Sequence, residues 1–171
     1  MKEHCHVDRY HSLGSPGRPA KLTAIYNQAI QAGRCTCDTA PFAPGQRQGW
    51  FEAHQGEDYP LFVYERCSQA VGCAYLSPYQ EGHPALRTVA EISYYVDFQY
   101  HGQGIGGKLL RHAIKEARRL GYRNLLAILL ECNPGSIHLL EKHGFSLWGS
   151  LPQVAQLVQG WYSHLYYVRA L

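Results

Sequence analysis

The sequence predicts an α/β domain built on a central sheet, and three observations carry that expectation. The second half of the chain alternates strand, helix, strand, helix, strand; a glycine cluster at residues 102–107 joins a β-branched, aromatic run to an amphipathic helix; and two apolar runs, residues 61–64 and 70–76, read as a β-hairpin. The 171 residues fit one domain, 1–171, and the 46% hydrophobic content supplies a core. Sixteen Lys and Arg against thirteen Asp and Glu leave a formal charge of +3. That balance calls for no nucleic acid, yet it tolerates a phosphate-bearing ligand.

The elements follow in order. The first twenty residues are polar and turn-rich (Ser12, Gly14, Ser15, Pro16, Gly17, Pro19), which predicts loose order. Residues 19–31 place Leu22, Ile25, Tyr26, Ala29 and Ile30 at helical spacing, with Gly33 as a stop. A shorter helix at 46–54 turns Trp50 and Phe51 inward. The hairpin comes next, with residues 66–69 as its tight turn and Pro78 at its end. Residues 89–96 (Val-Ala-Glu-Ile-Ser-Tyr-Tyr-Val) have strand composition. Beyond the glycines, Ile105, Leu109, Leu110, Ala113, Ile114, Ala117 and Leu120 trace one helical face, opposite Lys108, Arg111, Lys115, Arg118 and Arg119; Gly121 stops the helix. Residues 124–131 form a buried strand. Asn133 and Pro134 then read as N-cap and first-turn proline of a short helix running to Gly144, and residues 145–151 and 161–168 close the chain as two strands.

Several classes fall away. The longest apolar run, residues 125–130, has six residues against the ~20 of a membrane span. No apolar segment follows Met1, so no secretory signal is expected, and the six cysteines (Cys5, Cys35, Cys37, Cys67, Cys73, Cys132) are expected as reduced cytoplasmic thiols. None forms C-x-x-C. Cys35-Thr36-Cys37 is too close for a zinc knuckle and His4-Cys5-His6 lacks a second pair, so no metal is expected.

Chemistry concentrates at residues 102–107, Gly-Gln-Gly-Ile-Gly-Gly. Unshielded backbone N–H groups at the positive end of a helix bind phosphate, and Lys108 adds a cation in the first turn. Gly102, Gly104 and Gly107 formally satisfy G-x-G-x-x-G, with Glu131 ending the next strand, so a dinucleotide-binding oxidoreductase is one reading. Against it, residues 97–101 separate the motif from its strand, and the 40 residues after Glu131 are too few for further βα units.

His101-Gly102-Gln103-Gly104-Ile105-Gly106, between a strand and Lys108-Leu109-Leu110, resembles the acetyl-CoA loop of the GNAT acetyltransferases, whose pattern is Q/R-x-x-G-x-G/A; His101 departs at the first position. The chain is most similar to the phosphinothricin acetyltransferase branch. Ile25-Tyr26-Asn27-Gln28-Ala29, Trp50-Phe51-Glu52-Ala53-His54, Leu76-Ser77-Pro78-Tyr79, the 90–96 strand, Asn133-Pro134-Gly135-Ser136-Ile137, Glu141-Lys142-His143-Gly144-Phe145 and Gly160-Trp161 match it in order. The match runs from about residue 24 to 168; residues 1–20 lack the first strand and acidic turn the family opens with.

The resemblance implies the GNAT fold, a mixed central sheet flanked by helices in which a bulged fourth strand splays from the fifth and admits the pantetheine arm. It implies acetyl-CoA as co-substrate and a small amine or amino-acid acceptor of the phosphinothricin, methionine sulfoximine or sulfone type. It assigns cofactor contacts to Tyr94, Tyr95, Val96, Gly102, Gln103, Gly104, Ile105, Gly106, Gly107, Asn133 and Ser136, and the base to Glu91. An N–H beside the thioester carbonyl is worth ~3 kcal/mol to a tetrahedral transition state. Where the family carries a tyrosine or histidine as general acid, Leu140 stands; His138 and His143 are offset on the helix, which leaves Tyr94 or Tyr95 to substitute, Tyr95 being the catalytic candidate, or a thiolate that leaves unaided. Arg87 aligns with a recurring arginine and is the candidate carboxylate reader, with Tyr79 and Trp161 as walls. Cys37 and Ser163 replace a usual aromatic and aspartate. The branch further implies a homodimer, and the missing acid leaves a non-catalytic CoA-binding sensor as a third reading.

Overall fold

The computed structural model describes residues 5–9 and 17–171, with the side chains of 5, 6, 8 and 9 outside the description. The elements are β1 (Cys5–Arg9), α1 (Arg18–Gln31), α2 (Gln48–Ala53), β2 (Leu61–Arg66), β3 (Gln69–Pro78), β4 (Val89–Val96), α3 (Ile105–Arg119), β5 (Asn124–Leu130), α4 (Pro134–Lys142), β6 (Ser146–Leu157) and β7 (Gly160–Ala170). They form one seven-stranded sheet in the order β1-β2-β3-β4-β5-β7-β6, in which only β4 and β5 are parallel. A dinucleotide fold needs a run of parallel strands, so that reading falls.

Two expectations are corrected at the ends of the chain. Residues 5–9 are not loose: they pair antiparallel with β2, from Cys5 opposite Arg66 to Arg9 opposite Phe62. Polar and turn-forming neighbours hid a five-residue edge strand, in which Val7 packs against the core. The expectation of loose order for residues 1–4 and 10–16 lies outside the described residues. At the other end, the last two strands extend well past 151 and begin before 161. Pro152 sits in an edge strand within a register shift between Leu151 and Ala155, where no ladder N–H is required of it.

Elsewhere the residues explain the elements. The Cys67–Ser68 turn between β2 and β3 has φ of 50° and 61°, the twist a two-residue hairpin needs. Helix α3 buries Ile105, Leu109, Leu110, Ala113, Ile114 and Ala117 against one sheet face, together with Phe62, Val71, Leu76, Ile92 and Leu125. Helices α1 and α2 bury Leu22, Ile25 and Phe51 against the other, over Leu61, Val63 and Cys73. Truncating such a leucine to alanine costs about 2–5 kcal/mol.

The feature that makes a site is the parting of β4 from β5. They pair only over Val89–Asn124, Ala90–Leu125 and Glu91–Leu126. Beyond Glu91, β4 continues on β3 (Ile92 to Leu76 through Val96 to Gly72) and β5 on β7 (Ala127 to Tyr167 through Leu130 to His164). Two backbone edges are thus left facing each other. The β3–β4 register is unbroken, so the expected β4 bulge is absent; the splay comes from each strand following its outer neighbour.

Candidate active site

A cleft of about 580 Å³ fills the opening between the strands. Residues 92–96 of β4 form one wall, 127–129 of β5 the other; residues 101, 102 and 104–107 close one end, and Asn133, Ser136, Leu139 and Leu140 the floor. Ile25, Ala29 and Cys35, from α1 and the segment after it, also line it; Ile25 and Ala29 fall in a stretch that matches the family but were not assigned to the site, and no motif marked Cys35.

The glycine loop is a bare anion cradle. Among the described residues, no N–H from 102 to 107 finds an acceptor in the chain; the first that does is Lys108, bonded to the Gly104 carbonyl. Gly104 is the left-handed N-cap of α3 (φ 74°), and a Cβ on it or on Gly102 would meet nothing within 4 Å. Six open N–H groups at a helix N-terminus fit a pyrophosphate. His101, the departure from the family pattern, closes the loop onto β4 through Nε2 and the Val96 carbonyl at 2.9 Å. Gln103 turns away from the cleft: its Oε1 accepts from Arg66 at 2.8 Å, which ties the loop to the end of β2. Lys108, expected as the phosphate's cation, instead donates to the Tyr64 hydroxyl at 3.0 Å. Arg66 was not legible as a loop partner because 37 residues separate it from Gln103.

Strand alternation splits the two tyrosines. Tyr94 faces α4, where its hydroxyl donates to the Ser136 carbonyl at 3.4 Å. Tyr95 faces α1, its ring 4.8 Å from Tyr26 and 6.4 Å from Tyr75. Burial pushes the Tyr94 phenol up to about 12 and Tyr95 well above its ordinary value, so both stay protonated at neutral pH. Asn133 is the N-cap of α4, accepting from the Ser136 N–H at 3.2 Å, and it also lines the cleft. Cap and ligand roles are compatible, since the cap uses only its Oδ1.

Glu91 sits at the closed end of the splay, the last β4 residue paired to β5, on the face shared by Ser93 and Tyr95. Neither Arg87 nor His101, the nearest basic residues in the sequence on either side, pairs with it. Arg87 donates to the Pro84 carbonyl and His101 is held by Val96; among the described residues Glu91 has no ion pair. Burial alone raises its pKa above the usual carboxylate value. Glu91 is not itself among the residues that line the cleft, whose β4 wall begins at Ile92, but an unpaired, half-buried carboxylate next to that wall is suited to taking a proton.

The remaining candidates are placed as follows. Leu140 is buried and lines the cleft, so helix α4 offers no acid there. His138, expected to face elsewhere, lines the cleft rim; His143 does pack away, against Gly107 and 3.4 Å from Arg111. Tyr79 and Arg87 are not brought to the cleft but line a separate hollow of about 260 Å³ beside Pro78 and Glu81. Trp161, 56% exposed at the start of β7, is likewise outside the cleft lining. Cys37 lies 3.9 Å from His164, and the Ser163 N–H donates to Glu131 at 2.6 Å, where the family's aspartate would add a charge. No group of three His, Cys, Asp or Glu able to hold a metal occurs among the described residues, and no helix there is long and apolar enough to cross a membrane.

Comparison with known proteins agrees with this geometry. The chain is 33% identical over 144 residues to an L-methionine sulfoximine/L-methionine sulfone acetyltransferase of Pseudomonas paraeruginosa (82% of this chain, 81% of the relative). It is 30% identical over 142 residues to the L-amino acid N-acyltransferase MnaT of Escherichia coli K12 (83% and 82%). Among solved structures, an N-acetyltransferase from Staphylococcus aureus Mu50 superposes with a TM-score of 0.89 at 30% identity, covering 98% of each chain. yncA of Salmonella typhimurium, solved with its cofactor acetyl-CoA, gives 0.89 at 27%, covering 98% of this chain and 94% of that one. The Acetyltransferase (GNAT) family profile matches residues 23–145, and the chain belongs to that family.

Proposed function

We propose that the protein transfers the acetyl group of acetyl-CoA to the amino group of a small amino-acid-like acceptor, of the phosphinothricin, methionine sulfoximine or methionine sulfone type. The observation that carries this is the combination of open N–H groups and an unpaired β4 edge along one cleft with an unpaired carboxylate, Glu91, at the point where β4 and β5 part. The names of the relatives support the acceptor class.

In this reading residues 102–107 hold the pyrophosphate, with Gln103 acting through Arg66. The β4 edge over Tyr94, Tyr95 and Val96 takes the pantetheine arm as an added strand, and Asn133 and Ser136 contact it from the floor. An N–H of that edge donates to the thioester carbonyl oxygen. Glu91 accepts a proton from the acceptor ammonium through water; the free amine attacks the carbonyl carbon, the C–N bond forms and the C–S bond breaks. The protonated Tyr95 phenol supplies the proton to the departing thiolate and regains one from the attacking nitrogen, which sheds its surplus proton as the amide forms. Arg87, with Tyr79 beside it, reads the acceptor's carboxylate; it engages only a backbone carbonyl here, and Pro78 of its hollow adjoins Ser77, the β3 partner of Glu91. Trp161 forms the outer wall near Gln159, which packs over Gly33.

The proposal places the enzyme in the cytoplasm, acting on a small molecule and not on nucleic acid. It also includes a homodimer, favoured by the exposed apolar side chains of edge strand β6: Leu147, Trp148, Leu151 and Val154. The test is a thiol-release panel with acetyl-CoA and α-amino acids against simple alkylamines. Turnover confined to the amino-acid class supports the reading; turnover with alkylamines alone refutes the acceptor class.

A further inference from the structure

Arg47 is the N-cap of α2, 8% exposed, and nothing in the reaction described above uses it. Two features of its placement are unfavourable. A buried cation ordinarily has a carboxylate beside it, and among the described residues Arg47 has neither an ion pair nor a hydrogen-bond acceptor. It also stands at the N-terminal, positive end of a helix, where a cation is disfavoured. What it has instead is aromatic. Its guanidinium carbon lies 4.3 Å from the Tyr26 ring centroid and 4.1 Å from that of Trp50, with Phe42 at 5.6 Å and Phe51 at 5.7 Å. A largely buried guanidinium against ring faces makes a cation–π contact.

The rings it holds lead to the cleft. Tyr26 meets Tyr95 edge-on at 4.8 Å; Trp50 meets Tyr75 edge-on at 4.8 Å, and Tyr75 stacks on Tyr95 at 6.4 Å. Tyr95 is a cleft wall on the Glu91 face of β4. The Tyr26 hydroxyl donates to Asp38 at 2.6 Å, and Asn27 and Phe42 exchange two hydrogen bonds of 2.9 Å, so the same cluster fastens the segment between α1 and α2. Of the groups that contact the cofactor in the proposed reading, loop 102–107 and α4 take no part in it, and Tyr95 joins it through its ring, not through the backbone edge that takes the pantetheine arm.

We propose that Arg47 is a positioning residue for the acceptor: clamped between Tyr26 and Trp50, it fixes the Tyr95 ring on the Glu91 face and so determines how tightly the acceptor amine is held, while the pantetheine arm is held by the β4 backbone, which the ring cluster leaves unchanged. This rests on the reading that the acceptor binds on the Glu91 face.

The test compares Arg47→Met, which keeps length and loses the cation, with Arg47→Lys, which keeps the cation and loses the planar stacking. Acceptor KM is measured at saturating acetyl-CoA, and acetyl-CoA Kd by titration calorimetry. Arg47→Met is expected to raise acceptor KM about tenfold or more with acetyl-CoA Kd within about twofold, and Arg47→Lys to raise it less, about threefold. Tyr26→Leu should reproduce the Met phenotype and add little to it in the double variant. If Arg47→Met melts below the assay temperature, Arg47→Lys decides alone. Acceptor KM unchanged in the folded variants, or acetyl-CoA Kd rising in step with it, overturns the proposal. Failure of the underlying reading shows separately, as wild-type turnover in Glu91→Gln.

Discussion

Gly104 allows the anion cradle to be separated from backbone strain. It caps α3 at φ 74°, and Gly121 follows the other end of that helix at φ 85°; a Cβ at either meets nothing within 4 Å. Alanine at each therefore carries only the left-handed penalty, about 1–2 kcal/mol. For a chain of this size that lowers Tm by about 2–8 °C. Acetyl-CoA at a hundredfold excess over Kd stabilises by about 2.7 kcal/mol, or about 5–11 °C. The assay is thermal unfolding of wild type, Gly104→Asp, Gly104→Ala and Gly121→Ala, with and without acetyl-CoA. The two alanine variants should lose similar apo stability. Gly121→Ala should keep the full ligand shift and Gly104→Asp should lose it, because its carboxylate lies among the open N–H groups with the ligand's own sign of charge. A full shift in Gly104→Asp, or none in Gly121→Ala, would refute the loop as the phosphate site.

Glu91→Gln should cut kcat by about 10²-fold, with partial recovery at high pH where more acceptor amine is already neutral, as read by a pH–rate profile. Because burial raises the Glu91 pKa, the native state binds the extra proton and wild-type stability falls as pH rises through the interval between the ordinary and the raised value. Glu91→Gln should therefore unfold at higher temperature than wild type at neutral pH, the difference closing toward pH 4; a variant less stable at neutral pH contradicts this. Arg87→Met should raise KM about tenfold for amino-acid acceptors, with acetyl-CoA and alkylamines little affected; equal losses for both amine classes, or none, exclude Arg87 as carboxylate reader. Trp148→Glu, at a β6 position 69% exposed, should convert a dimer to monomer by light scattering, and an unchanged mass removes β6 from the interface.

The parts of the fold that were legible in the sequence are those whose signals are local. The 15-residue α3 declares itself through six apolar positions on one face and a glycine at either end, and α4 through Asn133 and Pro134. The open glycine loop proposed to hold the cofactor was legible for the same reason, since its N–H groups belong to six consecutive residues. Strand β1 was not, because its neighbours are polar and turn-forming, and the end of β6 was not, because Pro152 is acceptable only at an edge that sequence alone does not identify. The splay rests on pairing choices made by β3 and β7, far along the chain from the residues it exposes. Arg47 was invisible for a related reason: its four rings come from α1, α2 and the segment between them, and nothing in the spacing shows that an arginine at a helix start is buried among aromatics.

The central claim is that the cleft moves an acetyl group from thioester sulfur to an amino-acid nitrogen, and one NMR experiment follows that carbon directly. Acetyl-CoA carrying ¹³C at the acetyl carbonyl is mixed with the protein and L-methionine sulfone. The account predicts that the thioester carbonyl signal is replaced by an amide carbonyl signal of the N-acetyl acceptor, matched by an equal amount of free CoA thiol. A thioester signal that persists while acetyl-CoA is demonstrably bound, or that passes only to acetate, would contradict it.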